Sequence, residues 1–188
     1  MKNKRVLILC EAALMVAASY ALSFVKIPTG LAFGGFGGSI DFVMVPLLVL
    51  AVRHGAFWGL AAGLCFGTLK FFGAGGVAVN WQSMLLDYSL AYMAVGAAGF
   101  VGKKLGVKYI TVTALVGCLA RFGIHYLSGV TIYAEYMPPE FFGMSMTSPA
   151  FYSLLYNGSY MLPNTILAVV CMALLAKPLE KLLFGKQA

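Results

Sequence analysis

Residues 149–175, PAFYSLLYNGSYMLPNTILAVVCMALL, decide the fold of this chain because they form a long apolar stretch without a charged residue. A helix that crosses the hydrocarbon core of a bilayer needs about 20 mainly apolar residues. This stretch is therefore long enough to span a membrane. Its first half also carries tyrosine and asparagine side chains, which indicates a polar end on an otherwise apolar helix.

The whole chain has the composition of a polytopic membrane protein. Of its 188 residues, 61% are hydrophobic and 10% are charged, and the mean hydropathy is +0.90. Little sequence remains for a soluble module, so we predict one transmembrane domain over residues 1–188. The formal net charge of +7 does not come from a basic run interleaved with polar sequence. We therefore predict a lipid membrane, and no nucleic acid, as a partner.

The apolar runs predict an all-α integral membrane protein with six transmembrane helices. The second and third runs are short, which favours tilt or incomplete crossing. The expected helices cover about 6–25, 40–52, 56–72, 79–101, 110–130 and 149–175.

The basic residues predict the orientation of these helices. Ten of the 13 Lys and Arg residues fall in segments that alternate with the outer loops, and positively charged loops stay in the cytoplasm. Both termini are therefore predicted to be cytoplasmic. The ten residues are Lys2, Lys4, Arg5, Arg53, Lys103, Lys104, Lys108, Lys177, Lys181 and Lys186.

Two outer loops, about 26–39 and 131–148, are predicted to lie over a ligand site. The first is rich in glycine, which suits a lid or a close backbone approach. The second carries Tyr133, Tyr136 and two phenylalanines but no Lys or Arg. Such loops suit a cationic or aromatic ligand. The alternative is an aromatic belt at the membrane interface.

Asp87 is the most informative polar residue inside an apolar helix. It lies about eight residues, or ~12 Å, from the outer end of predicted helix four. A carboxylate at that depth needs a partner or a water-filled cavity. An ion pair with Arg121, the one basic residue inside predicted helix five, is the structural alternative to a binding role.

His125, Tyr152 and Asn157 are expected near the same membrane level as Asp87. His125 and Gly129 share a helix face with Arg121 because the three are spaced by four residues. Asn157 in a helix interior requires hydrogen-bond partners. A carboxylate, an imidazole, an amide and aromatic rings together suit an aromatic, nitrogen-bearing cation.

The chain lacks the sequence signatures of an enzyme. It has no P-loop, HExxH or GxSxG motif and no paired metal ligands, so we predict no catalytic residue, no metal and no cofactor. The four cysteines stand alone in apolar stretches. Any energy for transport must come from a partner or a gradient.

Ala13, Ala17 and Ala21 form a flat ridge of small residues on predicted helix one. Such ridges allow close approach of another helix in a membrane. Packing within the chain and docking of another membrane protein are both open interpretations.

Three motifs in order resemble one known family. These are SMLLDYSLAY (83–92), RFGIHYLSGV (121–130) and FYSLLYNGSYMLPN (151–164). With EAALMVAASYAL (11–22), they resemble the thiamine-specific substrate-binding (S) components of energy-coupling factor (ECF) vitamin transporters. The resemblance covers nearly the whole chain.

The resemblance implies a six-helix subunit in the plasma membrane of a prokaryote, which captures thiamine from outside. An ECF coupling transmembrane subunit and two cytoplasmic ATPase subunits would supply the energy, and Ala13 and Ala17 would contact the coupling subunit. The residues that would bind thiamine are Asp87, Tyr88, His125, Gly129, Tyr133, Tyr152 and Asn157.

Two departures from the family pattern concern the ligand site. Tyr133 stands where some members carry a tryptophan that stacks on the ligand. Asp87 stands where some members carry a glutamate, so the shorter side chain must bring helix four or the ligand closer.

The sequence leaves three alternatives to a thiamine-binding subunit open. The same architecture could bind another vitamin or a thiamine precursor, such as the pyrimidine half. A small membrane enzyme could use Asp87 and His125 as acid and base. An autonomous carrier could be coupled to a proton gradient.

Overall fold

A computed structural model describes residues 2–29, 37–101 and 106–184 of the chain, and of residues 2, 3 and 178–184 the helical backbone alone. Within these ranges the protein is mainly helical, with two short antiparallel hairpins. The helices are α1 (Lys2–Leu22), α2 (Met44–His54), α3 (Ala56–Gly73), α4 (Trp81–Val101), α5 (Val107–Thr131) and α6 (Pro149–Phe184). The strands are β1 (Lys26–Pro28), β2 (Ser39–Asp41), β3 (Glu140–Phe141) and β4 (Met144–Ser145).

Five helices of the described chain, α1, α3, α4, α5 and α6, are long and apolar enough to cross a membrane. The sixth, α2, has 11 residues and rises only ~16 Å at 1.5 Å per residue, about half of a bilayer core. Leu47, Leu48 and Ala51 of α2 have no exposed surface. This helix is therefore apolar because neighbouring helices cover it, and α2 alone is too short to cross the bilayer core.

The predicted start of helix two at residue 40 is wrong, because residues 39–41 are extended. Ile40 pairs with Ile27 in the β1–β2 hairpin, and Asn164 accepts the backbone N–H of Asp41 at 2.9 Å. Asp41 Oδ1 then accepts the backbone N–H of Val43. These bonds hold the chain extended up to the first turn of α2.

The other helix limits differ from the predictions by a few residues, except at the end of α6. Helix α1 ends at Leu22 rather than 25, where the Ser23 hydroxyl bonds to the Tyr20 carbonyl. Helix α4 starts at Trp81 rather than 79, because Asn80 and Ser83 form a capping box. Helix α5 starts at Val107 rather than 110, and α6 continues beyond residue 175 to Phe184.

Glycines bring α3 and α4 into backbone contact. A Cβ on Gly63 would overlap with the carbonyl of Tyr92, and a Cβ on Gly67 would overlap with the carbonyl of Tyr88. Small residues at helix interfaces in membranes allow this close approach. The contact places Tyr88 and Tyr92 next to α3, beside the cavity described below.

Helix α4 contains a π-helical turn at Leu85–Leu90. The wider turn changes the direction of the side chains that follow it, and such turns often occur at functional sites. Asp87 and Tyr88 lie within this turn. These two side chains of α4 therefore lie on a segment that is locally wider than an α-helix.

Polar contacts join α1 to α2 and to Val43, the residue before α2, on the face of α1 that packs against the rest of the protein. Glu11 pairs with Arg53, with 2.9 Å between Oε2 and Nε, and with His54 at the end of α2. Ser19 donates to the Val43 carbonyl at 2.9 Å. The opposite face, which includes Ala13, Ala17 and Ala21, is exposed.

Some predicted features lie outside the described residues. They are positions 30–36 of the first outer loop, the inner-loop residues Lys103 and Lys104, and Lys186 after α6. The second predicted outer loop is described throughout, and it contains the short helical turn Tyr133–Tyr136 and the β3–β4 hairpin.

Candidate functional site

A cavity of about 450 Å³ opens between the β1–β2 hairpin and helices α3 to α6. This volume lies in the usual range for small-molecule sites. All seven residues predicted to bind a ligand line it. The lining residues are Lys26, Pro28, Gly37, Gly38, Ser39, Lys70, Ala74, Gly75, Val77, Asp87, Tyr88, Tyr92, Arg121, His125, Gly129, Tyr133, Tyr136, Tyr152, Ser153, Tyr156, Asn157 and Tyr160.

The carboxylate of Asp87 is joined to α5 by two hydrogen bonds. Its Oδ1 lies 3.0 Å from Nδ1 of His125, and its Oδ2 accepts the Ser128 hydroxyl at 2.9 Å. His125 and Ser128 are buried, whereas the Asp87 side chain keeps 18% of its surface exposed. The carboxylate is thus fixed on one side and accessible from the cavity on the other.

Arg121 and Asp87 contact opposite nitrogens of His125. Arg121 Nε donates to Nε2 of His125 at 3.2 Å, and Asp87 lies at Nδ1 on the other side of the ring. The predicted alternative, in which Arg121 neutralises Asp87 as a direct ion pair, is replaced by this bridged arrangement. His125 is the common neighbour because it lies one helical turn after Arg121.

From Arg121 a series of polar contacts continues through Tyr92 to Lys70 and Asp41. These four residues are called the polar chain. Arg121 Nη2 donates to the Tyr92 hydroxyl at 3.0 Å, and Lys70 donates to the same oxygen at 2.6 Å. Lys70 also forms an ion pair with Asp41 at 3.1 Å. Burial of Asp41 favours its neutral form, but Lys70 and Arg121 outweigh this effect and lower its pKa.

One hydrogen-bond donor of the polar chain, on Arg121, has no partner. Among the buried side-chain polar atoms of the described residues, Arg121 Nη1 and Thr29 Oγ1 have no hydrogen-bond partner. An unpaired buried donor is unfavourable by about 1–3 kcal/mol. Since Arg121 lines the cavity, its Nη1 is a donor that a ligand or water can satisfy.

Helix α6 contributes an amide that is mostly occupied within the protein. Asn157 Nδ2 donates to the His125 carbonyl at 3.2 Å and to the Ser153 carbonyl at 3.0 Å. Its Oδ1 accepts the Tyr160 hydroxyl at 2.6 Å. Asn157 therefore fixes α6 against α5, and the free lone pair of Oδ1 is what it has left to offer a ligand.

Gly129 leaves room for α6 as well as for the cavity. A Cβ at this position would overlap with Ser153 Oγ and lie 3.2 Å from Asn157 Nδ2. Ser153 has little freedom to move because it donates to the Tyr126 carbonyl at 2.9 Å. The glycine therefore sets the distance between the two helices that carry His125 and Asn157.

Tyrosines form most of the aromatic surface of the cavity. The Tyr88 hydroxyl exchanges hydrogen bonds with the backbone of Val77, and the Tyr152 ring stands edge-on to Phe141 at 5.4 Å. Burial and the charge of Asp87 raise the pKa of Tyr133 to about 12, so its phenol stays neutral at physiological pH. Seven tyrosines line the cavity in total.

The β1–β2 hairpin is joined to α6 by hydrogen bonds at one side of the cavity. The Tyr156 hydroxyl donates to the Gly37 carbonyl at 2.5 Å, and Asn164 donates to the Ser39 carbonyl at 2.7 Å. Gly38 has a φ of +100°, and a Cβ there would lie 2.7 Å from the Tyr160 ring. The hairpin therefore covers the tyrosines of α6 at close range.

Sequence reasoning missed several residues of this site. Lys70, which was not among the predicted site residues, is buried beneath the cavity. Tyr92 gave no signal beyond its place in an apolar run, whereas Tyr156 and Tyr160 were marked only by the polar character of the first half of α6. A lysine in an otherwise apolar helix was the one available signal for the Lys70–Asp41 pair.

The arrangement can hold an organic cation, and it does not resemble a metal centre. No group of three or more His, Cys, Asp or Glu side chains in residues 2–29, 37–101 and 106–184 could hold a metal ion. An accessible carboxylate beside tyrosine faces attracts a flat cation through charge and cation–π interaction. The buried amide, hydroxyl and guanidinium groups add hydrogen-bonding positions.

A protein-family model described as "Thiamine transporter protein (Thia_YuaJ)" matches residues 9–184. The chain is 29% identical over 203 residues to the thiamine transporter ThiT of Bacillus subtilis, covering 100% of this chain and 99% of that protein. It is 27% identical over 199 residues to ThiT of Lacticaseibacillus paracasei, covering 98% and 94% respectively.

A solved structure has the same fold. ThiT from Listeria monocytogenes superposes with a TM-score of 0.80 and 25% sequence identity, covering 97% of this chain and 100% of that chain.

Proposed function

This chain belongs to the Thia_YuaJ family of thiamine transporter proteins, and from that membership we infer that it is the thiamine-binding subunit of a vitamin importer. It is a multi-pass protein of a bacterial plasma membrane. Family membership places it among transporters rather than enzymes. Thiamine is the ligand, and we propose that it binds in the cavity between the hairpin and helices α3 to α6.

The observation that carries this site is the accessible carboxylate of Asp87 among tyrosine rings. Thiamine has a permanently charged thiazolium ring and an aminopyrimidine ring. A carboxylate compensates the fixed charge, and it also accepts hydrogen bonds from an exocyclic amine. Asp87 is 18% exposed and lines the cavity, so both interactions are available there.

The other predicted residues take supporting roles in this proposal. Tyr133 and Tyr152 offer faces for stacking on the ligand rings, and Tyr88 closes the side of α4. Asn157 presents its Oδ1, His125 holds the Asp87 carboxylate in place, and Gly129 sets the space between their helices. Each of these residues lines the same cavity.

We propose that both termini lie in the cytoplasm and that the ligand enters from outside. Lys4 and Arg5 precede the apolar part of α1, Arg53 ends α2, and Lys108 starts α5. Under the positive-inside rule these helix ends face the cytoplasm. The chain then passes through the membrane six times, and its second pass combines the extended segment Ser39–Asp41 with the short helix α2.

The transport step requires partners in this proposal. The chain carries no P-loop, so ATP hydrolysis would come from two cytoplasmic ATPase subunits through an ECF coupling transmembrane subunit. Ala13 and Ala17 are exposed on α1, where small side chains let another helix approach closely. We propose that this face contacts the coupling subunit.

A thermal-shift panel tests the proposed ligand. A ligand that binds only the folded state stabilises it by RT ln(1 + [L]/Kd), so the melting temperature rises with the logarithm of the ligand concentration over Kd. Thiamine should raise the melting temperature of the purified chain in detergent, whereas riboflavin and biotin should not. A shift with another vitamin but not with thiamine would redirect the assignment to that vitamin.

A further inference from the structure

We propose that Arg121 is a positioning residue that holds His125 as the neutral imidazole with its proton on Nδ1. In this state His125 donates to Asp87 without cancelling its charge, so the carboxylate remains available to a cationic ligand. The inference rests on the proposed function for its consequence in binding. Its structural part concerns only the protonation of His125.

The donor and acceptor roles follow from the chemistry of arginine. A guanidinium group carries N–H donors and no acceptor. Because Arg121 Nε lies 3.2 Å from His125 Nε2, that ring nitrogen must supply the lone pair. The proton of a neutral ring is then on Nδ1, which lies 3.0 Å from Asp87 Oδ1.

The two other forms of His125 conflict with these contacts. With the proton on Nε2 alone, two N–H donors would face each other at Arg121, and a lone pair on Nδ1 would face the Asp87 carboxylate. With protons on both nitrogens, an imidazolium would lie against the guanidinium, and like charges repel. The Nδ1–H form is the one in which both neighbours are satisfied.

Arg121 cannot easily turn away from His125. It is 5% exposed, its Nη2 donates to Tyr92, and its guanidinium carbon lies 4.1 Å from the centre of the Tyr92 ring. Lys70 fixes the Tyr92 hydroxyl in turn, at 2.6 Å. The guanidinium is therefore held from two sides.

The other groups around His125 do not determine which ring nitrogen carries the proton. On α4 it faces Asp87, on α5 Arg121, and on α6 the edge of Tyr160 at 5.7 Å between ring centres. Asn157 contacts the backbone carbonyl of His125 and not its ring. Lys70 on α3 and Asp41 on β2 belong to the same polar chain but act through Tyr92.

The charges beneath the cavity are balanced only while His125 is neutral. Lys70 and Arg121 oppose Asp41 and Asp87, which gives no net charge at this end of the cavity. A proton on His125 would add a positive charge before the cationic ligand arrives. Arg121 thus places a fixed charge where a titrating one would otherwise form.

Nitrogen NMR of histidine tests the structural part without any ligand. The chain contains two histidines, His54 and His125, so ¹⁵N-histidine labelling with His54→Gln as an assignment variant isolates the signals of His125. We expect Nδ1 protonated and Nε2 unprotonated throughout pH 5.5–8. A proton on Nε2 at neutral pH, or an imidazolium signal that grows between pH 7 and 6, would overturn the proposal.

A pH profile of thiamine binding tests the consequence. In Arg121→Met the guanidinium is lost, and His125 is free to gain a proton as the pH falls through the histidine range, around 6.5. The ratio of variant to wild-type affinity should fall about tenfold between pH 7.5 and 5.5. Arg121→Lys keeps a cationic donor and should hold the ratio nearly constant, as should the control Arg53→Met.

The two tests separate this inference from the proposed function. If thiamine fails to bind the wild type, the proposed ligand is wrong, and the NMR result still decides the state of His125. If thiamine binds and the affinity ratio of Arg121→Met is constant with pH, the positioning role is wrong while the ligand stands. If Arg121→Met does not fold, the NMR measurement on the wild type remains decisive.

Discussion

The amine of Lys70 on α3 lies 3.1 Å from Oδ2 of Asp41, the last residue of the β1–β2 hairpin. Both side chains are almost completely buried, with 8% and 1% of their surface exposed. Asp41 is further held by Ser39 and by the backbone N–H of Val43. The pair therefore joins the hairpin beside the cavity to the polar chain beneath it.

Removing one partner of this pair should destabilise the protein strongly. Lys70→Met leaves the Asp41 carboxylate buried and unpaired, which typically costs about 3–5 kcal/mol. The double variant Lys70→Met/Asp41→Asn should recover most of this loss because no buried charge remains. The free energy of unfolding in detergent measures both. Lys26→Met, which removes an exposed lysine of the same cavity, should change it by less than about 0.5 kcal/mol. A double variant as unstable as Lys70→Met would contradict the ion-pair account.

Asp87→Asn should weaken thiamine binding. The change keeps the size of the side chain but removes its negative charge, and a charge-assisted hydrogen bond contributes about 1.5–3 kcal/mol. We expect a loss of roughly 10- to 100-fold in thiamine affinity. Glu140→Gln, an exposed acid on β3, serves as the control. Equal affinities for Asp87→Asn and the wild type would remove Asp87 from the binding site.

Gly129→Ala and Gly123→Ala form a matched pair on α5. A Cβ at Gly129 would overlap with Ser153 of α6, whereas a Cβ at Gly123 meets no atom within 4 Å. Gly129→Ala should cost about 1–3 kcal/mol through overpacking and should lower thiamine affinity, because it shifts Asn157 away from His125. Gly123→Ala should be neutral or stabilising by up to about 1 kcal/mol. Melting curves and binding isotherms of the two variants decide the comparison, and identical behaviour would show that the close approach at Gly129 is unimportant.

Substitution of the small residues on α1 should separate binding from transport. Ala17→Trp adds bulk to a face that is exposed in the isolated chain, so thiamine affinity should stay within about twofold of the wild type. Uptake driven by the coupling module should fall by at least tenfold if this face is the docking surface. Val112→Trp places the same bulk on an exposed position of α5 and should leave uptake intact. Unchanged uptake in Ala17→Trp would place the docking surface elsewhere.

The long helices could be predicted because a membrane-spanning helix is apolar over its whole length. The same signal predicted a helix at residues 40–52, and α2 lies at Met44–His54. It did not show what covers this helix, since a short helix covered by its neighbours is as apolar as one that faces lipid. The extended segment Ser39–Asp41 could not be predicted either. Its geometry depends on pairing with Lys26–Pro28 and on Asn164, which lies far along the chain.

The predicted site residues came together because helix spacing places Asp87 and His125 at similar depth. The polar chain from Arg121 through Tyr92 to Lys70 was not predictable in this way. It depends on the rotation of α3 against α4, which the glycine contacts fix, and on the π-helical turn that contains Asp87. Neither feature has a period that can be read from a single sequence.

Calorimetric titration of thiamine into the purified, ligand-free chain shows whether the chain binds thiamine and whether Asp87 compensates the charge of the ligand. Riboflavin, biotin and the neutral pyrimidine half of thiamine serve as comparison ligands. We expect one thiamine bound per chain and a much lower affinity for the pyrimidine half, because it lacks the charge that Asp87 compensates. Absence of thiamine binding by a folded preparation, or equal affinity for the neutral half, would contradict this expectation.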